Sequence, residues 1–274
     1  MYKFKLSILA FGLIALISLS AQAADLDNAE DIIQRANFMS YYQGKDGRAQ
    51  VTMTITDSQN RERARKLTIL RLDGPETDTL EGNAYRGDQK FYVYFHRPAD
   101  VSKMVFMVWK HLEQDDDRWL YLPALDLVKR IAASDRRASF VGSDFLYEDV
   151  SGRLLEDDSH ELLETTEQYY KMRHTPKNPG SVEFAYFETF IHKQTFLPVQ
   201  AVYYDDSGNK VRTISVNGVE TIQGHPTVTK STAENHQTGS KTVMEYSSVV
   251  YDTGLPDDIF SERYLRKAPK KHLR

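Results

Sequence analysis

The chain contains no cysteine among its 274 residues. Disulfide bonds, thiolate metal sites and a catalytic cysteine are therefore excluded, and an ordinary apolar core must stabilise the fold. Attachment of a lipid to an N-terminal cysteine is excluded for the same reason. We therefore expect a protein that is not itself a lipoprotein.

Motifs of common catalytic and ligand-binding sites are missing as well. There is no G-x-S-x-G nucleophile elbow, no G-x-x-x-x-G-K-[ST] phosphate loop and no H-E-x-x-H zinc motif. Three consecutive aspartates, Asp115 to Asp117, lack the spacing of a calcium loop, so we interpret them as a solvated turn ahead of a strand. We expect no enzyme, no metal site and no cofactor.

Two groups of polar residues have the composition of an active site. Ser143 with Asp144 would supply a nucleophile and an acid, but we interpret Ser143 as the N-cap of a short helix. Carboxylate pairs at 148–149 and 157–158 lie in turn-rich sequence, where we expect water to screen them. An enzyme would have to show turnover and lose it when Asp144 or Glu148 is replaced.

The first residues have the pattern of a secretory signal peptide. Lys3 and Lys5 precede an uncharged apolar run from Leu6 to Leu19, and Ala21-Gln22-Ala23 has the small-x-small form of a cleavage site. We predict that residues 1–23 are removed. No later run is apolar for long enough to span a bilayer, which predicts a soluble protein of the bacterial periplasm.

The charge of the chain argues against nucleic acid as a partner. Without Lys3 and Lys5 the chain carries 33 basic residues (35 − 2) against 39 acidic ones, a formal net charge of −6, which is unfavourable for binding a polyanion. The exception is residues 263–274, with six basic residues and no acid. We interpret them as a basic C-terminal tail, either solvated or in contact with anionic lipid headgroups or an acidic partner.

Periodicity predicts one helix followed by many strands. The stretch DNAEDIIQRANFMSYYQG places Asp27 or Asn28 as an N-cap ahead of apolar residues at helical spacing. From Ala49 the period becomes two, and a hairpin turns at 57–60. Later strands are expected around 161–173, 181–192, 197–205, 210–216, 225–234 and 241–251.

Three runs, KFYVYFHRP, KMVFMVWKH and RWLYLPAL, are apolar at both alternating positions. Strands of this type have apolar material against both faces. With 16 tyrosines, 13 phenylalanines and two tryptophans in the chain, these strands either enclose an apolar cavity or form an ordinary core. We predict a mainly β (α+β) protein with one domain, residues 24–262, built on a single large curved antiparallel sheet.

The central block of the sequence resembles a known family. The residues concerned are Pro98-Ala99-Asp100, Trp119-x-Tyr121-x-Pro123, Lys129-Arg130-Ile131 and Gly142-Ser143-Asp144-Phe145 ahead of Tyr147-Glu148-Asp149. With the later stretch GLPDDIFSERYL, they are similar to the outer-membrane lipoprotein-sorting protein family, which has the fold of the periplasmic lipoprotein carrier LolA. The resemblance covers most of the mature chain.

The resemblance implies an unclosed β-barrel with a few lid helices over an apolar hollow. The implied activity is non-covalent carriage of a lipid, or of the acyl chains of a lipoprotein, towards the outer membrane. Some relatives are thought to work beside exporters of the RND type, which implies an inner-membrane transporter and an outer-membrane acceptor as partners. For the oligomeric state we expect a monomer.

On this fold we predict that acyl chains are bound by seven strand residues: Phe91, Val93, Phe95, Phe106, Val108, Trp119 and Tyr121. The predicted lid consists of the first helix and the segment 140–150, with the residues Ile32, Ile33, Ala36, Phe140 and Phe145. A register shift of one residue would exchange the two faces of a strand. The alternatives are a static cover over the core and an interaction module that recognises a protein at its sheet edge and carries no lipid.

Overall fold

The computed structural model describes residues 26–75 and 84–274. The predicted signal peptide, residues 1–23, lies outside this part of the chain. In the part that is described, no helix combines the length and the apolar composition needed to cross a membrane.

The first helix, α1 (Ala29–Tyr41), begins where the sequence predicts. Asn28 is its N-cap, and the side chain of Asn28 accepts a hydrogen bond of 2.9 Å from a backbone N–H of the first turn. Ile32, Ile33 and Ala36 are buried. The helix therefore packs with the face that its apolar periodicity indicates.

Thirteen strands form one sheet. In chain order they are β1 (Asp46–Thr56), β2 (Glu62–Asp73), β3 (Gln89–Arg97), β4 (Val105–Lys110), β5 (Asp117–Leu122), β6 (Leu127–Ile131), β7 (Asp158–Thr165), β8 (Tyr169–Pro176), β9 (Tyr186–His192), β10 (Pro198–Tyr204), β11 (Lys210–Ile222), β12 (His225–Asn235) and β13 (Ser240–Tyr251).

The sheet consists of two meanders that meet at one seam. Its strand order is β6-β5-β4-β3-β2-β1-β13-β12-β11-β10-β9-β8-β7. The first meander, β1 to β6, and the second, β7 to β13, are therefore joined by the antiparallel pairing of β1 with β13. β6 and β7 are the two edges, and the sheet does not close. The predicted single, unclosed antiparallel sheet is confirmed.

The structure divides the strand expected at 161–173 into β7 and β8. Thr166 closes the turn between them: its hydroxyl oxygen accepts a hydrogen bond of 2.9 Å from the backbone N–H of Tyr169. The backbone N–H of Thr166 also donates to the Tyr169 carbonyl at 2.9 Å. Because the turn contains neither glycine nor proline, its composition carries no turn signal.

The segment between the two edge strands, residues 132–157, is called the linker below. It contains three 3-10 turns and the short helix α2 (Tyr147–Ser151). Phe140 and Phe145 of the linker pack against side chains of the first meander, and Asp144 accepts a hydrogen bond of 2.7 Å from Thr242 of β13. The linker therefore crosses one face of the sheet, which we call the inner face.

The start of α2 differs from the prediction. Leu146 is the N-cap, and the carboxylate of Asp149 accepts a hydrogen bond of 2.6 Å from its backbone N–H. The Ser143 hydroxyl instead donates to the Phe140 carbonyl at 2.8 Å and closes the preceding turn. Ser143 was expected to cap because it is the nearest hydroxyl residue, but the carboxylate inside the helix reaches back and takes this role.

Two clusters of buried side chains cover opposite faces of the first meander. The inner cluster joins linker residues to strand residues, among them Phe91, Val93, Phe95, Phe106, Val108, Phe140, Phe145 and Tyr147. The outer cluster joins the end of the chain to the strands, among them Leu70, Tyr92, Met107, Trp119, Phe260, Leu265 and Leu273. Both faces of the doubly apolar strands are thus covered by the chain itself.

The basic C-terminal segment, residues 263–274, is docked on the outer face. It begins with α3 (Arg263–Arg266), and Leu265 and Leu273 are only 1% and 4% exposed. The Gln50 side chain donates a hydrogen bond of 3.0 Å to the Leu273 carbonyl. The segment therefore forms part of the folded structure, while its six basic side chains remain exposed.

Candidate functional site

A cavity lies over the inner face of the sheet, mainly over the second meander and partly over β1 to β3, beneath α1 and the linker. Its volume is about 500 Å³, within the range of roughly 300–1,000 Å³ that is typical of small-molecule sites. All three structural parts contribute to its mainly apolar lining, which includes Ile33, Ala36, Val150, Ile191, Ile214 and Met244.

Of the seven predicted acyl-chain residues, Phe91 lines the cavity. The Phe106 ring points to the inner face but is covered by the linker, with ring centroids 5.4 Å from Phe140 and 4.9 Å from Tyr147. Three further residues share this placement and, like Phe106, are 0% exposed: Val93, Phe95 and Val108. The linker thus covers the inner face of the first meander at these four residues, and the cavity lies beside them.

Trp119 and Tyr121 lie on the outer face, opposite to the predicted side. In the ladder between β4 and β5, Trp119 is paired with Met107, whereas the inner residue Phe106 is paired with Leu120. Because β5 is apolar at both alternating positions, its pattern indicates a strand without indicating which face is turned inwards. The structure corrects this assignment: Leu120 is the residue that faces the linker.

Four of the five predicted lid residues line the cavity, namely Ile33, Ala36, Phe140 and Phe145. Ile32 lies beside them and packs against Tyr170 and Met172. Both predicted lid elements therefore form one side of the cavity.

A large part of the cavity lining comes from strands that the sequence did not single out. These residues lie on β9 to β13 and include Ile191, Ala201, Ile214, Met244 and Tyr246. These strands mix apolar and polar residues and contain no long doubly apolar run like those of β3 to β5. Such a pattern is the same for a strand that faces a cavity and for one that faces a packed core.

The aspartate run before β5 is only partly solvated. Asp115 is exposed, but the Asp116 side chain is 9% exposed and pairs with Arg118. Asp116 also accepts a hydrogen bond of 3.1 Å from the backbone N–H of His111. Burial raises the pKa of Asp116. The interpretation as a fully solvated turn is therefore corrected for Asp116, whose largely buried carboxylate stabilises the turn by this hydrogen bond.

Glu148 lies in the lining of the cavity and is surrounded by arginines. Its side chain is 5% exposed and forms ion pairs with Arg137 at 2.6 Å, Arg136 at 3.2 Å and Arg153 at 3.4 Å. The expectation that water screens this carboxylate is wrong. Its position at the start of α2 places it under the linker, where the neighbouring guanidinium groups replace water as hydrogen-bond partners.

The same network connects the linker to the sheet. Arg153 of the linker binds Asp158, the first residue of β7, with an N–O distance of 2.7 Å. Arg212 of β11 pairs with Asp149 of α2 and also donates to the Asp144 carbonyl at 3.3 Å. Charged hydrogen bonds therefore anchor the linker at both sides of the cavity.

Lys110 of β4 joins the ends of the two lid helices. Its ammonium group donates a hydrogen bond of 2.8 Å to the carbonyl of Ser151, the last residue of α2, and lies 5.3 Å from the ring centre of Tyr41, the last residue of α1. The side chain is 1% exposed, and burial lowers the pKa of Lys110 to about 8. One buried cation thus holds both helix ends in place.

A pair of histidines lines the cavity next to the end of the linker. The Nδ1 atoms of His160 and His174 are 2.7 Å apart. His160 Nε2 donates to the Leu155 carbonyl at 2.9 Å, and His174 Nε2 lies 2.8 Å from the Thr189 hydroxyl. If both rings are neutral, His174 donates to His160 and accepts from Thr189, so that every partner is satisfied. Burial, together with the neighbouring His160, holds the pKa of His174 well below its ordinary value of 6.5.

The depressed pKa of His174 predicts a loss of stability in mild acid. Below about pH 6.5 the unfolded chain takes up a proton at this residue and the folded chain does not, so its contribution to the free energy of unfolding falls by up to about 1.4 kcal/mol per pH unit. The measurement is the urea midpoint at pH 8.0, 7.0, 6.0 and 5.0 for the wild type and for His174→Gln.

The expected result is a shallower decline between pH 6.5 and 5 in His174→Gln than in the wild type. Above about pH 7.5, where His174 is neutral in both states, the difference between the two proteins should be constant. Parallel curves over the whole range would contradict the assignment.

Comparison with known proteins places the chain in a family. A protein-family model described as "Uncharacterized protein" matches residues 87–267, which is well over half of the chain. The chain belongs to this family. No curated protein matches it.

Several solved structures share the fold of this chain. A DUF1329 family protein from Desulfovibrio piger is 29% identical, with a TM-score of 0.75 over 88% of this chain and 100% of the other. A domain described as an outer membrane lipoprotein-sorting protein, from Vibrio parahaemolyticus, is 24% identical with the same TM-score of 0.75 and the same coverage, 88% and 100%.

A LolA superfamily protein from Nitrosomonas europaea is 20% identical, with a TM-score of 0.62 over 86% of this chain and 98% of the other. The resemblance to outer-membrane lipoprotein-sorting proteins and the LolA-like fold are thereby confirmed. At identities below 25% these likenesses concern the fold and not the contents of the cavity.

Proposed function

We propose that the protein is a periplasmic carrier that binds a lipid, or the acyl chains of a lipoprotein, and moves it towards the outer membrane. The observation that carries this proposal is the mainly apolar cavity of about 500 Å³ beneath α1 and the linker. Each methylene group that leaves water contributes roughly 0.8 kcal/mol. An acyl chain can therefore bind there without any charged contact, and no chemical step is part of the proposal.

The proposed acyl-chain contacts combine one residue of the predicted set with residues found in the structure. Phe91 contributes an aromatic side chain at the boundary between the cavity and the inner cluster. Ile191, Ile214 and Met244 supply the aliphatic floor on the second meander. A domain described as an outer membrane lipoprotein-sorting protein has the same fold, and this shared fold agrees with the proposed function.

Release of the cargo requires one side of the cavity to open. We propose that α1 and the segment 140–150 move together when both leave Lys110 of β4, whose ammonium group contacts the last residue of α1 and of α2. The ion pair between Arg153 and Asp158 ties the far end of the linker to β7. Opening would therefore be a rotation about this end.

The proposed compartment follows from the predicted signal peptide, and the proposed partners follow from the family resemblance. The compartment is the periplasm, and the partners are an inner-membrane transporter of the RND type that loads the carrier and an outer-membrane acceptor that unloads it. We propose that the carrier works as a monomer.

A variant that fills the cavity tests the proposal. Ala201, partly buried and part of the lining, is replaced by tryptophan, and binding of a fluorescent fatty acid is measured together with native mass spectrometry of the mature protein. Because the indole occupies the space of the cargo, we expect Ala201→Trp to weaken probe binding at least about tenfold and to lose co-purifying lipid.

The matched control is Ala64→Trp, the same change at an exposed position of β2. It should bind the probe as the wild type does. Failure of the folded wild type to bind any acyl probe would refute the carrier, and equal binding by both variants would place the ligand outside the cavity.

One observation favours a second candidate, an interaction module without lipid cargo. β6 and β7 are sheet edges without a neighbouring strand among the described residues, and such edges accept an extended peptide by backbone pairing. This function would give a wild type that binds no lipid and a partner whose binding survives Ala201→Trp.

A further inference from the structure

Two leucines at the turn between β5 and β6 are exposed to solvent. Leu125 is 70% exposed and Leu127 is 46% exposed, and among the described residues only Val219 is a comparable exposed large apolar side chain. The turn is ordered, because Pro123–Leu125 form a 3-10 turn that the Asp126 N–H closes on the Pro123 carbonyl at 3.3 Å. Two neighbouring leucines on an ordered turn indicate an apolar contact outside the chain.

The C-terminal segment supplies positive charge at a fixed place. Residues 263–274 contain six basic side chains, all of them exposed, and no acid. Burial of Leu265 and Leu273 holds the segment against the outer face. The cations are therefore presented on a folded surface.

Arg266 brings the leucines and the cations together. Its guanidinium group pairs with the Asp126 carboxylate at 3.0 Å and lies over the Tyr121 ring. Asp126 stands between the two leucines in the sequence, so α3 lies directly beside their turn. The carboxylate between the leucines is thus paired with a cation, and the exposed Lys129 of β6 adds a further positive charge at this edge of the sheet.

We propose that this corner, formed by Leu125, Leu127 and residues 263–274, docks the protein on a bilayer surface that contains anionic phospholipid. The leucines enter the interface, and the exposed lysines and arginines meet the phosphate groups. Charge complementarity favours this partner, because the corner is basic while the chain without Lys3 and Lys5 has a formal net charge of −6 (33 − 39). An anionic surface therefore attracts this corner and repels the rest of the molecule. The proposal does not depend on what the cavity binds.

Vesicle binding of the mature protein tests the proposal. Vesicles of phosphatidylcholine with about 30% phosphatidylglycerol are compared with pure phosphatidylcholine by co-sedimentation at low and at 0.5 M salt. We expect the protein to bind the anionic vesicles at low salt. Binding should be at least fivefold weaker in 0.5 M salt, and at least fivefold weaker to vesicles of pure phosphatidylcholine. Leu125→Ser with Leu127→Ser, and separately Lys267→Gln with Lys270→Gln and Lys271→Gln, should each weaken binding at least fivefold.

The matched controls change the same residue types elsewhere. Val219→Ser removes the exposed apolar side chain of β11, and Lys210→Gln removes an exposed lysine of the same strand. Both should bind as the wild type does. All of these positions are exposed, so circular dichroism should show unchanged folding.

The absence of cysteine permits a direct measurement of insertion. Leu125→Cys labelled with an environment-sensitive dye such as NBD carries a single probe, and Val219→Cys serves as its control. Anionic vesicles should shift the emission of the probe at 125 to the blue and leave the probe at 219 unchanged. No binding to anionic vesicles, equal binding to neutral ones, or identical spectra at both positions would overturn the proposal.

Discussion

Replacing Glu148 by glutamine is expected to lower the free energy of unfolding by about 3–5 kcal/mol, the range seen when one partner of a buried ion pair is removed. Glutamine keeps the shape of the side chain but removes the negative charge. Arg137 and Arg153, whose side chains are 7% and 12% exposed, would then lose a shared anion that water can replace only in part. The linker should loosen first, because Glu148 holds three of its arginines together and one of them, Arg153, in turn binds Asp158 of β7.

The measurement is urea denaturation of Glu148→Gln beside Glu245→Gln. Glu245 makes the same type of contact, an ion pair with Lys230 at 2.9 Å, but both side chains are about half exposed, at 54% and 45%. Exposed pairs of this kind contribute about 0–1 kcal/mol. Similar losses in both variants would mean that the buried network does not stabilise the linker. Glu148→Gln also tests the enzyme alternative, which requires loss of a measurable turnover.

Replacing Phe106 by alanine is expected to cost about 3–5 kcal/mol, the usual loss for a fully buried phenylalanine. The ring is 0% exposed and lies in contact with Phe140 and Tyr147, at centroid distances of 5.4 and 4.9 Å. Its removal leaves a hole between β4 and the linker that rigid neighbours fill only in part. Because Phe106 belongs to the packed inner cluster and does not line the cavity, acyl-probe binding per folded molecule should persist.

Phe190→Ala is the matched control for this prediction. Phe190 on β9 is only partly buried, so the same truncation should cost less than about 2 kcal/mol. Thermal or urea unfolding of both variants, with the fatty-acid probe added to the folded proteins, separates the two roles. If Phe106→Ala were stable but unable to bind the probe, Phe106 would be a wall of the cargo site after all.

Local patterns predicted the elements of this fold that depend on neighbouring residues. Asn28 begins α1 because a side-chain oxygen directly ahead of an apolar helical stripe is sufficient to cap it. The runs that are apolar at both alternating positions required two covering layers, and the linker and the end of the chain supply them. The unclosed sheet entered through the family resemblance, and the structure confirms it.

The features that escaped prediction depend on residues far apart in the chain. Trp119 and Leu120 are equally apolar, so only the pairing with β4 decides which of them faces inwards. Glu148 is charged and stands in turn-rich sequence, and its burial depends on arginines that the fold brings to it. The position of the cavity depends on the path of the linker. The phenylalanine side chains of the linker cover the inner face of the first meander and leave most of the inner face of the second meander uncovered.

The seam between β1 and β13 has a consequence for the newly made chain. β1 finds β2 at once, but its other neighbour is completed about 195 residues later (251 − 56). At a synthesis rate of roughly 5–20 residues per second, this interval lasts roughly 10–40 s. Throughout it, the threonine-rich strand β1 offers a bare edge to any passing chain. The last hairpin to emerge, β12 with β13, is therefore the element that shields the first.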